Sequence, residues 1–281
     1  MKQRTRLTIQ GIALLIQNAN LKGFFTGKLY EGPLKQVCVP GLNCYSCPGA
    51  VGSCPVGALQ NALSAQRFKL PYYVAGLLIF FGALLGRAVC GFLCPFGLLQ
   101  DLLYKIPFPK KLKTFPGDKL LRKLKYLVLG LMVILLPLCI KLTPIFCKYL
   151  CPSGTLAGIL LALSDTTLFK AMGSRFLWKA CVLGVVSLLS VVIFRPFCRY
   201  FCPLGAIYAP FNKISLIRLN LDKAACVHCG KCAEACPMEV DPARHPDHTE
   251  CIRCGKCTEV CPVQALKLST AFQKVKTKEE A

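Results

Sequence analysis

The chain has 281 residues, a formal net charge of +22 and 54% hydrophobic residues. Its share of charged residues is only 17%, whereas soluble globular domains average about 25%. The basic residues concentrate beside apolar segments, above all in residues 105–125, which indicates a membrane surface and argues against a nucleic-acid partner. The 20 cysteines do not indicate a secreted disulfide scaffold, because no small-residue cleavage site follows the apolar N-terminal segment.

Three apolar segments, 72–89, 126–146 and 176–194, approach the ~20 residues that span a bilayer core. Residues 7–21 form a weaker candidate, either an uncleaved anchor or an amphipathic segment on the membrane surface. The sequence therefore predicts a mainly α-helical membrane protein with about four transmembrane helices. The positive-inside rule assigns residues 105–125 to the cytoplasm, which predicts a multi-pass protein of the cytoplasmic (inner) membrane.

The C-terminal region contains two copies of C-x2-C-x2-C-x3-C-P, "CVHCGKCAEACP" at 226–237 and "CIRCGKCTEVCP" at 251–262. In this bacterial ferredoxin pattern the first three cysteines hold one [4Fe–4S] cluster and the fourth ligates the other cluster. Gly230 and Gly255 permit tight turns close to the sulfur atoms. A zinc site would need a separate set of four ligands. The predicted ligand sets are Cys226, Cys229, Cys232 and Cys261 for one cluster, and Cys251, Cys254, Cys257 and Cys236 for the other.

A second motif, C-x3-C-P-x-G, occurs at 90–97, 147–154 and 198–205, each time after an apolar segment. The sequence "SCPVGALQ" at 53–60 repeats its second half. A residue before proline disfavours the α region, while proline itself suits the first turn of a helix. The second cysteine of each motif is therefore predicted at a break between two helices.

The predicted topology sorts the remaining cysteines onto two sides of the membrane. A third cluster is predicted on the cytoplasmic side, and a fourth on the opposite side. The thiols could instead be redox-active dithiols, outer disulfides or ligands of soft metals such as Cu(I). The candidate ligands are Cys90, Cys94, Cys198 and Cys202 for the third cluster, and Cys44, Cys47, Cys54, Cys147 and Cys151 for the fourth, with Cys38 as an alternate ligand.

The chain is predicted to divide into three regions. Residues 1–212 form the transmembrane domain, which includes a cysteine-rich loop at 22–70. Residues 213–268 form a small α+β two-cluster ferredoxin domain in the cytoplasm, and 269–281 form a charged tail. Asp101 is predicted to cap a helix or lie in a solvated loop, or else to accept a proton beside a quinone.

These motifs together resemble the membrane-bound 4Fe–4S proteins related to the quinol-dehydrogenase subunit of periplasmic nitrate reductase systems. The wider group includes membrane components of nitrous-oxide-reductase and methylamine-dehydrogenase maturation systems. The resemblance covers about residues 70–265 and implies electron exchange between a membrane quinone pool and a redox partner protein. The pair at 147/151 and the cysteines at 38–54 depart from the family pattern, so the partner and substrate do not carry over.

The sequence thus predicts an integral membrane iron–sulfur protein that relays electrons between a soluble redox partner and a membrane quinone or trans-membrane acceptor. One alternative is a membrane copper reductase or a metallo-cofactor maturation factor that uses the C-x3-C-P pairs. Another is a redox-sensing or scaffold protein. The sequence has no nicotinamide fingerprint, haem-attachment motif or nucleophile constellation that would mark a terminal catalytic site.

Overall fold

The structure is a computed structural model that describes residues 3–64, 71–109, 111–113, 116–140, 144–164 and 173–270. The predicted charged tail lies outside the described residues from 271 onward. Most of the described chain is helical. The α-helices are Gln3–Gln17, Lys22–Thr26, Pro55–Ser64, Tyr72–Leu85, Ala88–Phe92, Pro95–Lys105, Asp118–Leu121, Leu124–Val128, Leu136–Ile140, Pro152–Ser164, Ser174–Val192, Pro196–Tyr200, Pro203–Tyr208, Lys231–Glu234 and Lys256–Val260, with π-helical segments at Leu129–Leu135 and Phe146–Leu150 and 3-10 turns at Pro33–Gln36 and Pro210–Lys213.

Within these described ranges, one helix, Ser174–Val192, is long and apolar enough to cross a membrane. The prediction of about four transmembrane helices is therefore wrong. Helix Tyr72–Leu85 has 14 residues and ends at Gly86, which has a φ of 55°. At 1.5 Å per residue such a helix is about 21 Å long, short of a bilayer core of about 30 Å. The apolar segment that follows residue 124 changes to π-helical hydrogen bonding at Leu129–Leu135.

Helix Gln3–Gln17, the weakest predicted span, directs polar side chains into the protein interior. The side-chain amide of Gln10 is buried and donates a hydrogen bond to the Cys94 carbonyl at 2.9 Å. Arg6 is also buried and contacts a carboxylate oxygen of Asp101 at 2.8 Å. The helix therefore covers the first C-x3-C-P motif, a role that neither of the two predicted alternatives included.

One continuous hydrophobic core joins the N-terminal loop, the central helices and the C-terminal region. It includes residues from all three parts of the chain, and partly buried cysteines of the ferredoxin runs pack against it. Examples of its buried members are Leu42, Cys54, Val56, Val89, Phe96, Val133, Phe146, Phe197, Leu204, Tyr208, Met238 and Ile252.

The two strands of an antiparallel sheet flank the ferredoxin runs in sequence. Strand β1, Ile217–Leu221, precedes the first run, and strand β2, Leu266–Thr270, follows the second. Their register pairs Leu219 with Leu268. Leu219 packs in a small cluster with Cys257, so the sheet holds one of the predicted ligands in place. The C-terminal region thus has the α+β character that the sequence indicates.

The C-terminal region packs closely against the first C-x3-C-P motif at Gly91. A Cβ atom added at Gly91 would lie 2.5 Å from the carbonyl oxygen of Ile252. Arg253, the next residue, is 2% exposed and donates hydrogen bonds to the Leu85 carbonyl at 3.1 Å and the Ser215 hydroxyl at 2.6 Å. The two ferredoxin runs are therefore held firmly against the rest of the chain.

We expect Gly91→Ala to destabilise the protein by about 1–3 kcal/mol, because the new methyl group meets backbone that cannot rotate away. Denaturant unfolding of the purified protein measures the change. Gly76→Ala is a matched control, since nothing lies within 4 Å of a Cβ added at Gly76. Equal stability of the two variants would contradict the close packing at Gly91.

Candidate metal centres

All three C-x3-C-P-x-G motifs follow the same backbone course. The second cysteine is extended, with φ and ψ of −84° and 116° at Cys94, −73° and 109° at Cys151, and −72° and 113° at Cys202. The proline that follows begins the next helix. Each second cysteine therefore lies at the break between helices that its proline predicts.

The glycine of the motif lies close to the backbone carbonyl oxygen of the motif's first cysteine. A Cβ added at Gly97 would lie 3.1 Å from the Cys90 carbonyl oxygen, and one added at Gly205 would lie 3.3 Å from that of Cys198. At Gly154, in the second motif, the corresponding distance is 3.7 Å. The chain thus folds back on itself more tightly in the first and third motifs, where a side chain would crowd the carbonyl.

The first and third motifs bring four thiols together. Cys90 and Cys94 are each 6% exposed, and Cys198 and Cys202 are each 4% exposed. Burial, followed by the neighbouring thiol of Cys94, raises the pKa of Cys198 to about 12. Burial and the thiols of Cys198, Cys90 and Cys94 likewise raise the pKa of Cys202. The four predicted ligands of the third cluster are therefore mutual neighbours, shielded from water.

Two fully buried arginines connect these motifs. Arg87 and Arg195 each stand three residues before the first cysteine of their own motif. Arg87 Nη2 lies 3.6 Å from a Cβ added at Gly205, and Arg195 Nη1 lies 3.1 Å from one added at Gly97. Each guanidinium group therefore reaches the glycine of the opposite motif, which places it beside the thiols.

Each arginine has a carboxylate partner. Arg195 donates two hydrogen bonds of 2.6 Å to Asp101, and Arg87 Nη1 donates one of 2.7 Å to Glu250. Burial opposes ionisation of Asp101, but Arg195 and Arg6 outweigh it and lower the pKa of this carboxyl. Asp101 is therefore a buried ion-pair partner. This corrects its prediction as a helix cap, loop residue or proton acceptor.

The donors around the four thiols fit an iron–sulfur cluster. Gln100 Nε2 donates a hydrogen bond to Cys198 Sγ at 3.0 Å. Arg87 Nε and Nη2 are buried and have no hydrogen-bond partner within the described part of the chain. Leaving such donors unpaired is costly, and the negatively charged sulfur of a cluster is an acceptor of the right kind. The donor set thus matches four thiolates around a [4Fe–4S] cluster.

The two ferredoxin runs have closely similar local structure. The residues before their second cysteines, His228 and Arg253, have positive φ values of 50° and 53°. Gly230 and Gly255 have φ values of 75° and 74°, and a short helix starts after each. These are the tight turns for which the sequence provides glycine.

The ferredoxin cysteines line two separate cavities. Each cavity takes three cysteines from one run and the fourth cysteine from the other run. The narrower cavity must widen to admit a cluster. The sets are Cys226, Cys229, Cys232 and Cys261 around a cavity of about 240 Å³, and Cys251, Cys254, Cys257 and Cys236 around one of about 20 Å³. These are the sets that the ferredoxin pattern predicts, and their ligation stays a prediction.

Four of the six thiols predicted for the fourth cluster also surround one cavity, of about 390 Å³. Burial, followed by the thiols of the other three, raises the pKa of Cys147. Cys47 lines a different cavity, and Cys38 forms a β-bridge with Ser53. The four thiols that meet are Cys44, Cys54, Cys147 and Cys151.

Sequence reasoning did not include the buried charges of these sites. Arg87 and Arg195 extend their motifs to R-x2-C-x3-C-P, a signal that is visible in the sequence. Pro144 stands at the corresponding position of the second motif. The arginines therefore distinguish the first and third motifs, which form the third site, from the second motif at Cys147.

Within the described ranges, no three His, Cys, Asp or Glu side chains converge closely enough to hold a single metal ion. The cysteines instead come together in groups of four, and at the third site Gln100 donates an N–H to a cysteine sulfur. Thiolates in sets of four are the ligands of [4Fe–4S] clusters. Site and fold together therefore define an iron–sulfur protein.

Comparisons with known proteins agree that this is an iron–sulfur protein. The family described as "4Fe-4S binding domain" matches residues 70–116, 124–166 and 174–222, and the family "4Fe-4S dicluster domain" matches residues 218–262. The chain belongs to the 4Fe–4S ferredoxin-type family of electron-transport proteins, which confirms the resemblance seen in its motifs. It is an iron–sulfur electron-transfer protein, and its domains bind two or more [4Fe–4S] clusters.

Three relatives show the extent of the similarity. The uncharacterized protein MJ0750 of Methanocaldococcus jannaschii is 33% identical over 197 residues, which cover 68% of this chain and 75% of that protein. The methylamine utilization ferredoxin-type protein MauN of Methylobacillus flagellatus is 31% identical over 58% of this chain and 52% of its own length. The protein YccM of Escherichia coli is 30% identical over 69% of this chain and 55% of its own length. The chain thus spans about half the length of MauN and YccM. No solved structure matches.

Proposed function

We propose that the chain relays electrons, through the two ferredoxin clusters, between a redox partner and a third cluster held by Cys90, Cys94, Cys198 and Cys202. The observation that carries the proposal is the shared core. Cys236 and Cys254 of the ferredoxin runs pack against the same hydrophobic core that contains three of the third site's cysteines. Thiol sets that share one dry interior provide neighbouring stations for electrons.

The first ferredoxin set is the entry point for electrons or their exit. Cys229 is exposed, whereas the cysteines of the third site are buried. Val227 and Val263 beside it are 61% and 42% exposed. Small, partly apolar surfaces of this kind support the weak, transient encounters that are typical of redox proteins. A soluble redox partner therefore docks at this end of the relay.

Helix Gln3–Gln17 fixes the distance between the second ferredoxin set and the third site. Its Gln3 side chain donates a hydrogen bond to the Cys254 carbonyl at 3.0 Å. Its Gln10 side chain donates another to the Cys94 carbonyl at 2.9 Å. One rigid helix thus holds a cysteine of each site, which keeps the gap for electron transfer constant.

The relay is attached to a membrane. On helix Ser174–Val192, Leu177, Trp178 and Leu188 are 67%, 59% and 72% exposed, and lipid is a natural cover for such a surface. Lys113, in the basic segment, donates a hydrogen bond to the Glu234 carbonyl at 3.0 Å, so this segment lies beside the ferredoxin runs. The positive-inside rule then favours a cytoplasmic location for the ferredoxin region.

A quinone is the proposed membrane-side reactant. An apolar cavity of about 230 Å³ lies between helices Pro95–Lys105 and Pro152–Ser164. Asn18, Asn43 and Ser153 supply a few polar groups in its otherwise mainly apolar lining. A cavity of this composition suits a flat apolar ring with polar oxygen atoms at its edge.

We expect Cys90→Ser to remove about four iron atoms per chain, because the third cluster loses one of four thiolate ligands. Iron and acid-labile sulfide are measured after anaerobic purification. Cys181→Ser is the control, since Cys181 is an exposed single cysteine in helix Ser174–Val192. Wild-type iron content in Cys90→Ser would show that the third site holds no cluster.

The same variant tests the relay. Dithionite is expected to reduce the remaining ferredoxin clusters in Cys90→Ser, because it reaches them from solution. A soluble quinol is expected to reduce them in the wild type and not in the variant. Equal reduction by quinol in both proteins would contradict a path through the third site.

A further inference from the structure

The segment "SCPVG" at 53–57 repeats the end of the C-x3-C-P-x-G motif, and it also repeats the geometry around sulfur. In each motif the glycine's backbone N–H donates a hydrogen bond to the sulfur of the second cysteine. The pairs are Gly97 with Cys94, Gly154 with Cys151 and Gly205 with Cys202. Gly57 donates to Cys54 in the same way. Cys54 is therefore presented like the second cysteine of a complete motif.

The N-terminal loop and the second motif together enclose the fourth site. A Cβ added at Gly57 would lie 3.8 Å from Cys147 Sγ, and one added at Gly154 would lie 3.7 Å from Cys44 Sγ. Two glycines at the starts of two helices thus leave space for sulfur atoms from the opposite segment. This exchange parallels the third site, where each arginine reaches the glycine of the opposite motif.

The four thiols surround a cavity of about 390 Å³, larger than the cavity of about 240 Å³ at the first ferredoxin set. Room between the sulfur atoms is what a cubane of iron and sulfide needs, whereas a single soft ion draws its ligands to one point. Within the described residues, no three of these thiols converge closely enough to hold one metal ion, which favours a cluster over a mononuclear metal.

Lys179 supplies a positive charge at this cavity. Its Nζ lies 3.6 Å from a Cβ added at Gly154, and its side chain lines the cavity. In the described part of the chain no carboxylate pairs with Lys179, although the arginines of the third site each have one. A lysine within the apolar helix Ser174–Val192 is costly in lipid, so it marks a functional site.

We propose that Cys44, Cys54, Cys147 and Cys151 hold a further [4Fe–4S] cluster, whose negative charge Lys179 balances. The buried thiols of Cys38 and Cys47 are not ligands. The ligand set does not depend on the proposed relay, and it stands whether or not quinol reduces the ferredoxin clusters.

Paired serine substitutions test the ligand set. Cys54 and Cys47 lie in the same loop and are both 8% exposed, so they are matched in burial. We expect Cys54→Ser to lose about four iron atoms and four sulfides per chain, and Cys47→Ser to keep the wild-type content. The ferredoxin signals in electron paramagnetic resonance (EPR) spectra remain in both variants, which separates this result from a failure of the relay.

The other outcomes overturn the proposal. Equal loss of iron from Cys54→Ser and Cys47→Ser would mean that the loop as a whole is needed, or that Cys47 is a ligand. Wild-type iron in Cys54→Ser would mean that the cavity holds no cluster. Loss of copper or zinc with unchanged iron and sulfide would assign the four thiols to a single soft metal.

Lys179 is tested by redox titration of the cluster signal that Cys54→Ser removes. We expect Lys179→Met to shift its reduction to lower potential, because a positive charge stabilises the added electron. Iron content stays at the wild-type level, since Lys179 is not a ligand. Lys179→Arg restores the potential, and Arg175→Met, at an exposed position on the same helix, leaves it unchanged. An unshifted potential in Lys179→Met would overturn the role of this lysine.

Discussion

Cys261→Ser is expected to remove the cluster of the first ferredoxin run, although Cys261 belongs to the second run. The expected loss is about four iron atoms per chain, together with the magnetic coupling between two neighbouring clusters. The reason is the exchange of the fourth cysteines. Cys261 lines the cavity of Cys226, Cys229 and Cys232, and Cys236 lines that of the other set.

Double variants distinguish exchanged from unexchanged ligands. With exchange, Cys229→Ser combined with Cys261→Ser loses no more than about four iron atoms, since both ligands serve one cluster. Cys251→Ser combined with Cys261→Ser then loses about eight. If each run held its own cluster, the two results would be reversed. Iron analysis and EPR after anaerobic purification read out both pairs, with Cys139→Ser as the control at an exposed single cysteine.

The turns of the ferredoxin runs and the breaks in the C-x3-C-P motifs could be predicted because their causes are local. Gly230 and Gly255 have the positive φ values that their turns require. The residues before Pro95 and Pro203 are extended because a following proline disfavours the α region. In both cases the physical cause lies within a few residues of the cysteine it positions.

The membrane spans could not be counted from hydropathy because apolar composition does not show where a helix ends. The segment 72–89 is apolar throughout most of its length, yet its helix stops at Leu85 and a new one starts at Ala88. The break coincides with Gly86 and with Arg87, whose backbone N–H donates to Asn212 Oδ1 at 2.9 Å. A contact 125 residues away in sequence thus sets the helix boundary.

The choice among the N-terminal cysteines also depended on tertiary packing. Cys44, Cys47 and Cys54 lie within a short loop, and spacing alone does not rank them. In the fold, Cys44 and Cys54 line the same cavity as the pair from the second motif, whereas Cys47 lies outside that cavity and packs with Ala50 and Ala157. Only the position of helix Pro152–Ser164 determines which thiols meet.

Glu250→Gln is expected to destabilise the folded protein by about 3–5 kcal/mol, because it leaves two buried cations without a counter-charge. Glu250 Oε2 accepts a hydrogen bond from Arg87 at 2.7 Å, and Oε1 accepts one from Lys125. The side chains of Arg87 and Lys125 are both 0% exposed. Glu250 belongs to the C-terminal region, and both cations lie outside it. The variant therefore loosens the contact between the C-terminal region and the rest of the chain.

The pH dependence follows from the same contacts. Burial opposes ionisation of Glu250, but Arg87 and Lys125 outweigh it and hold its pKa at about 2, against 4.5 for an unperturbed glutamate. The folded-state pKa is the lower one, so the stabilisation, about 3 kcal/mol, is complete well above pH 4.5 and is lost as the pH falls towards 2. The stability difference between wild type and Glu250→Gln therefore shrinks as the pH falls from 4.5 towards 2.

Denaturant unfolding at pH 7 and pH 4 measures this difference, and tryptic cleavage after the exposed Lys213 reports on loosening of the C-terminal region. Glu259→Gln, at an exposed position in helix Lys256–Val260, is the matched control and is expected to change neither readout. Wild-type stability and cleavage in Glu250→Gln would mean that the buried cations find other partners. In that case the contact between Gly91 and Ile252, rather than the ion pairs, holds the ferredoxin region in place.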